Sequence, residues 1–282
     1  MANPVSTPLE AASIERRLTT RSLGRPLHLF AELASTNTTA FTLADSGAPH
    51  GTAVLAETQT AGKGRLGRQW TSSPHLNISC SLILIDPKLS RHVSWIPLVT
   101  GLALVEAIHR TCGIGISLKW PNDLLYIEKK IGGILCESMS QDSRISTCVV
   151  GFGLNVNCRE TDFPEELRSL ATSCHQATRQ FHDRNGLIAD IFNQLENWYD
   201  CVISEQFERV RKSYEASCVT LGRAVEIDCL AGQTIRGTAT SIGQDGALLV
   251  STMREGKTHT LEIRSGDVHH LRLSNSLAHF PH

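Results

Sequence analysis

The stretch Thr60–Trp70 (TAGKGRLGRQW) packs three glycines and three cations into the seven positions from Gly62 to Arg68, and no acidic residue falls between Glu57 and Asp86. Glycine lets a backbone pass through positive φ and approach a ligand closely, because it has no Cβ. Lys63, Arg65 and Arg68 bring donors for phosphate or carboxylate oxygens, the arginines as planar forks. The chemistry this suits is anion capture by a mobile loop, although a solvated basic turn has the same composition. A second group is Lys119, Asp123 and Lys130, set around the turn Trp120-Pro121-Asn122. Lys130 precedes Gly132-Gly133, where exposed N–H groups can share an anion with its ammonium. Asp123 can orient a nucleophilic amine or steady a lysine. Surface charge is the commoner fate of such residues. A third group, Ser35-Thr36-Asn37, offers three donor–acceptor side chains, and helix capping would account for it equally well.

These groups need elements to hold them. Leu27–Leu33 alternates as a strand and leads through Ser35-Thr36-Asn37 into a helix marked by Ala40, Leu43 and Ala44. Thr52–Glu57 reads as a strand running into the glycine loop. Leu76–Ile85 alternates and then turns wholly apolar, the pattern of a strand buried first on one face and then on both. Apolar residues at 95, 98, 99, 102, 105 and 108 predict a helix over 93–110, and Cys148–Asn157 predicts another strand, its Gly151 and Gly153 marking close backbone approach. Leu9, Ile14 and Leu18 predict a short amphipathic helix over 9–21. From 182 to 217 the pattern is helical, and after Cys218 it changes to short β runs with a turn at Gln244-Asp245-Gly246, a small β-barrel appended to a larger domain.

Gly62-Lys63-Gly64-Arg65-Leu66-Gly67 satisfies G-x-G-x-x-G letter by letter, with Asp86 near the distance of a ribose-binding acid. The dinucleotide reading needs a helix directly after the glycines. Pro74 and the following strand leave no room for one. A P-loop fails as well, since Lys63 is not in G-x-x-x-x-G-K-[ST]. Both familiar readings fall.

The 282 residues suffice for a sizeable core and one large plus one small domain. A net charge of −1 gives no global electrostatic case for nucleic acid or an anionic membrane, so the basic loop is a local feature suited to a small anion. Nine scattered cysteines without a C-x-x-C pair argue against a disulfide framework or a zinc knuckle. No signal peptide is read, and no apolar run is read as reaching the ~18–20 residues of a membrane span. A reducing, cytoplasmic setting is expected.

Taken together, Ser35-Thr36-Asn37, Gln59 with Gly62–Trp70, Lys119–Asp123, Lys130–Leu135 and Gly151–Asn157, in this order, resemble the biotin–protein ligases, from about Leu27 to Leu271. The resemblance implies an α+β fold: a mixed β-sheet catalytic domain with flanking helices, class II synthetase-like, and a small SH3-like β-barrel. The implied division is an N-terminal extension (1–26), a biotin- and ATP-binding domain (27–217), the barrel (218–273) and a tail (274–282), without the family's DNA-binding N-terminal domain. Lys63 departs from the pattern, standing where Arg is the more usual residue. The implied activity is ATP-dependent: biotin is converted to biotinyl-5′-AMP with Mg²⁺ and then passed to a lysine of a biotin carboxyl carrier domain, as in acetyl-CoA carboxylase. By the same resemblance, Ser35, Thr36, Asn37 and Gln59 bind the biotin head group or its carboxylate region, and Lys63, Gly64, Arg65, Lys130 and Gly133 lie around biotin. Arg65, Arg68, Trp70, Lys119 and Asn155 face ATP or the adenylate. Lys130, Arg65 and Asp123 are the catalytic candidates, Asp123 for orienting the acceptor lysine. Neither DNA nor membrane is an implied partner, and a homodimer is left open. The rival readings are a lipoate–protein ligase, whose different Arg- and Gly-rich signature is not found, and a biotin-responsive regulator without ligase activity.

Overall fold

The computed structural model describes residues 7–141, 144–229, 232–254 and 256–271, so the expected tail lies outside the described residues. Its larger sheet has seven strands: β1 (Leu27–Leu33), β2 (Ala53–Gln59), β3 (Ile78–Leu84), β4 (Ser117–Lys119), β5 (Asp123–Tyr126), β6 (Lys129–Gln141) and β7 (Arg144–Leu154). They lie in the order β1-β2-β3-β7-β6-β5-β4. Only β1 and β2 pair in parallel, because helix α2 (Thr36–Asp45) forms the crossover between them. Every residue of β3 is buried, as its apolar run predicts. Ile83 packs with Ala40, Val54 and Val149 beneath α2, while Cys80, Leu82 and Leu84 join the main core on the opposite face.

That core is built around α4 (Ile96–Cys112) and α6 (Arg184–Ile203). Pro97 starts α4 and Gly113, at φ 71°, ends it, the usual asymmetry of helix termini. The helical stretch Leu89–Cys112, which includes the short α3 (Leu89–His92), is long and apolar enough by length and composition alone to cross a membrane. This corrects the expectation of no such run. Its apolar character has a nearer cause: Trp95, Val99, Leu102, Ala103 and Ile108 are all buried in the core.

The helix predicted over 9–21 is also shorter, only α1 (Ala11–Glu15). Past α1 the backbone donors turn to side chains of other elements, Thr19 N–H donating to Asn193 Oδ1 at 2.8 Å. Glu196 on α6 accepts from the N–H groups of Arg21, Ser22 and Leu23 at 2.7–3.1 Å, while Leu9 N–H donates to Glu57 and Glu10 N–H to Asn185. Beside them Arg184, with no side-chain exposure, donates to both oxygens of Glu57 at 2.6 and 3.0 Å. Ile14 and Leu23 are fully buried, so this segment belongs to the same core as the sheet.

Helices α5 (Cys174–Thr178) and α7 (Phe207–Ser217) complete the larger part of the chain. The smaller unit is an antiparallel sheet of β8 (Ala224–Asp228), β9 (Thr234–Ile242), β10 (Leu248–Arg254), β11 (Lys257–Ile263) and β12 (Asp267–His270), in the order β11-β10-β9-β8-β12, consistent with an SH3-like barrel. The predicted turn is present, with Gly246 at φ 79°. Its carbonyl accepts from Trp120 Nε1 at 3.2 Å, which fastens the barrel to the turn between β4 and β5.

Candidate active site

On the α2 face of the sheet a recess runs along β7 from Gly151 to Gly153. Those two residues are about 6–7 Å apart on an extended strand. The recess is lined by Ser35, Thr36, Asn37, Gln59, Lys63, Gly64, Arg65, Trp70, Asn122, Lys130, Gly133, Ile134, Leu135, Gly151, Phe152 and Gly153. Both β7 glycines are dictated by contact. A Cβ on Gly151 would stand 2.1 Å from Asn37 Oδ1, and one on Gly153 2.2 Å from the Trp70 ring. Trp70 thus lies flat against the sheet as one wall. The Gly151 end carries hydroxyls and amides: Thr36 N–H and Oγ1 donate to Gln59 Oε1 at 2.8 and 3.1 Å.

The other end carries cations. Lys130 reaches over Gly133 and pairs with Asp123 at 2.6 Å; the two side chains are 37% and 24% exposed, so solvent and ligand can both reach the pair. The segment 170–172 clasps Lys130 from outside, with Lys130 N–H donating to Leu170 O and Thr172 N–H to Lys130 O. Facing it, loop 62–70 closes on itself: Lys63 bridges Gln69, Gly64 N–H donates to Arg68 O, and Trp70 N–H donates to Gly62 O. A single 3₁₀ turn, Arg65–Gly67, occupies its tip, and no helix follows, as the exclusion of a dinucleotide fingerprint requires. Arg65 donates to Asn122 Oδ1 at 2.8 Å and to Gly266 O of the barrel at 3.3 Å. Burial pulls its pKa below the ordinary guanidinium value, opposed by the fields of Asp123 and Asp267. With the loop here the empty space of the recess is about 470 Å³, including the part open to solvent.

The lining brings together Ser35, Thr36, Asn37, Gln59, Lys63, Gly64, Arg65, Trp70, Lys130 and Gly133 from the sequence candidates. Four others stand outside it. Asp123 reaches the recess only through Lys130. Arg68 is turned to the barrel and paired with Asp267. Lys119 lies opposite Asp123 in the β4–β5 register, close enough to the barrel to influence Asp267 and His270. Asn155 is 4% exposed; its Nδ2 donates to Thr172 O, and its Oδ1 has no hydrogen-bond partner among the described residues. A buried acceptor of that kind is costly unless something donates to it. Two residues were missed. Asn122, read only as turn, holds Arg65, and Ser81 sits beneath Thr36 and Asn37 at 2.7 and 2.6 Å. Ser81 gave no signal because an alternating strand needs no reason for one serine. Among the described residues no three His, Cys, Asp or Glu side chains gather as a metal cage.

Residues 29–155 match the Biotin/lipoate A/B protein ligase family. The chain is 35% identical over 260 residues to the bifunctional ligase/repressor BirA of Bacillus subtilis, covering 92% of this chain and 79% of that protein. It is 31% identical over 276 residues to a biotin–[acetyl-CoA-carboxylase] ligase of Mycobacterium tuberculosis, covering 94% and 97%. The chain belongs to the biotin protein ligase family. Among solved structures the ligase is similar to the biotin protein ligase of Aquifex aeolicus in complex with biotin and ATP, with a TM-score of 0.76 and 29% identity over 89% of this chain and all of that one.

Proposed function

We propose that this ligase activates biotin with ATP as biotinyl-5′-AMP and transfers the biotinyl group to a lysine ε-amine of a biotin carboxyl carrier domain, the substrate that relatives named for acetyl-CoA carboxylase suggest. The observation that carries the reading is the polarity of the recess. Hydroxyls and amides at the Gly151 end suit a ureido head, Trp70 against Gly153 suits an apolar stem, and Lys130 with Arg65 suits a carboxylate meeting a phosphate. In the first step a carboxylate oxygen bonds to the α-phosphorus and the bond to pyrophosphate breaks. Two anions must meet, so Lys130 between them lowers their repulsion and stabilises charge in the transition state. In the second step the amine attacks the acyl carbon, AMP leaves, and the amine proton is lost. Asp123 holds Lys130 in place and is the candidate to orient the incoming amine. The unpartnered Asn155 Oδ1 suits a donor on ATP, Arg68 and Lys119 suit phosphate oxygens, and closure of loop 62–70 keeps water from the anhydride. Mg²⁺ would enter with ATP and supply charge neutralisation at its phosphates. The net charge of −1 gives no global electrostatic case for a DNA partner.

The test is ATP–pyrophosphate exchange with biotin or with lipoate, followed by the mass of a carrier domain. Biotin-dependent exchange and a mass gain of one biotinyl group are expected, and a preference for lipoate would overturn the reading. Lys130→Ala should lower exchange by about 10²–10³-fold, the scale for losing one transition-state donor. Near-normal exchange would remove Lys130 from its role.

A further inference from the structure

Two polar atoms near the middle of the recess are sealed from solvent and unused. Among the described residues neither Trp70 Nε1 nor Ser79 Oγ has a hydrogen-bond partner. Register and contact place them side by side. Ser79 pairs with Gly153 between β3 and β7, and paired residues share a face of a sheet with Cβ positions about 4.5–5.5 Å apart. That face is the α2 face, since a Cβ on Gly151 would stand 3.2 Å from the Oγ of Ser81, two residues on from Ser79. Trp70 covers the same spot. Its Cζ3 would be 3.8 Å from a Cβ on Gly133 of β6, while Cε2 and Nε1 would be 2.2 and 2.5 Å from one on Gly153. The indole therefore runs across the sheet from β6 toward β3, with its N–H at the end nearer Ser79.

An indole N–H only donates, and a serine oxygen accepts. Each atom buried without a partner carries a desolvation cost that one bond between them would relieve. Ser79 cannot move to make it, because β3 holds it between Ala56 of β2 and Gly153 of β7. Trp70 sits at the end of loop 62–70 and can. Two further buried acceptors, Ser72 Oγ and Asn155 Oδ1, also have no partner among the described residues. Ser72 is two residues from Trp70 on the same stretch of chain, so a bond to it would not tie that stretch to the sheet. Asn155 lies about 6–7 Å beyond Gly153 along the chain, its amide drawn to Thr172 O. Ser79 is the nearer anchor.

We propose that Ser79 is a positioning residue: when the glycine loop seats on its ligand, Trp70 Nε1 donates to Ser79 Oγ, and that bond holds the indole wall against the adenylate. The inference rests on the biotin reading, since the adenylate is the ligand the loop must retain. The bond differs in kind from those at the loop's other edge. Arg65 and Arg68 give up protein partners when they take an anion, whereas Trp70 and Ser79 give up nothing. The loaded state thus gains one hydrogen bond that the free chain lacks, and the gain falls on the release of the adenylate.

The experiment follows the dissociation of radiolabelled biotinyl-5′-AMP, chased with unlabelled adenylate, from the wild-type chain, Ser79→Ala, Trp70→Phe and the double variant, with thermal melts alongside. Ser79→Ala should speed release about three- to tenfold, the scale of one buried hydrogen bond. Trp70→Phe removes the N–H and keeps an aromatic face; it should speed release at least as much, and Ser79→Ala should add less than about twofold in its background. The melting temperature of free Ser79→Ala should hold or rise, because the lost hydroxyl is unpaired there, while the upward shift on adding adenylate should shrink. Unchanged release from Ser79→Ala, or full additivity of the two substitutions, would overturn the proposal. So would a lower melting temperature of the free variant with the adenylate shift intact, the mark of a serine that serves packing alone. If Trp70→Phe does not fold, release and melts of Ser79→Ala carry the decision. Failure of wild type to bind the adenylate would instead overturn the functional reading.

Discussion

Adding one methyl at Gly153 tests whether Trp70 is a wall of the site or a packing residue with no ligand to face. In Gly153→Ala the new Cβ would meet Trp70 Cε2 at 2.2 Å, Nε1 at 2.5 Å and Cζ2 at 2.6 Å. Ordinary contact begins near 3.4 Å, so the indole must retreat by about 1 Å. The sheet cannot yield in its place, because Gly153 is paired in register between Ser79 of β3 and Gly133 of β6. Trp70 belongs to a loop that can lift, so most of the clash should be relieved there and the stability cost should stay at the low end of overpacking, about 1 kcal/mol. The larger effect falls on binding. Losing roughly 60–100 Å² of apolar contact with a ligand stem forfeits about 1.5–2.5 kcal/mol, or about 10–70-fold in affinity. The assay is the biotin KM in ATP–pyrophosphate exchange, with a thermal melt alongside, for Gly153→Ala, Trp70→Ala and the double variant. In the Trp70→Ala background the methyl meets no ring and should cost almost nothing further. Full additivity of the two losses, or an unchanged KM in Gly153→Ala, would refute the argument.

Three further outcomes follow from contacts described above. Arg184→Met removes the buried partner of Glu57 and leaves a carboxylate that burial disfavours as an anion; unfolding stability should fall by about 3–5 kcal/mol, with partial recovery in Glu57→Gln/Arg184→Met, both read from denaturant melts. His270, half-buried beside Lys119 and Arg223, is depressed to about 4, its Nδ1 facing the Arg223 guanidinium. The unfolded chain therefore binds a proton between the ordinary value of about 6.5 and about 4 that the folded chain refuses. This contribution is complete above pH 6.5 and is lost as the pH falls toward 4, and His270→Gln should lose less stability than wild type on moving from pH 7.5 to 5. Asp267→Asn frees Arg68 from an exposed pair worth under about 1 kcal/mol, so the melting temperature should barely move. The association rate of biotin, followed by tryptophan fluorescence, should rise a few-fold, and wild type should approach the variant at high salt.

What could be read without coordinates was local. Pro74 and the alternating strand after it ruled out a helix behind the glycines, and the loop does end in a single 3₁₀ turn followed by β3. Gly151 and Gly153 were legible as places of close approach because glycine within a strand needs a reason. The partners they admit, Asn37 and Trp70, are 114 and 83 residues away in sequence, and no periodicity points to them. The same limit hid Ser81 beneath Thr36 and Asp267 against Arg68. Each of these residues is chemically ordinary, and only the packing of distant elements makes it specific. The N-terminal segment failed differently. Its helical pattern was real but weak, and Asn193 and Glu196 on α6 took the backbone donors of Thr19 and Arg21 from the helix.

The self-closed loop has a mechanical consequence. Its Lys63–Gln69 bridge, made by the bonds from Gly64 to Arg68 and from Trp70 to Gly62, lies inside it, while Thr60 and Ala61 stay fastened to Leu33 and Ala34 at the end of β1. The piece beyond Ala61 can therefore swing as a stiff paddle, breaking none of these main-chain hydrogen bonds. The work of opening is done at a few points, where Arg65 leaves Asn122 and Gly266, Arg68 leaves Asp267 and the Trp70 ring leaves Gly153. An anion entering beneath the paddle offers those same guanidinium groups a replacement. Release and capture become an exchange of counter-ions on two side chains, with the hinge itself nearly free of cost.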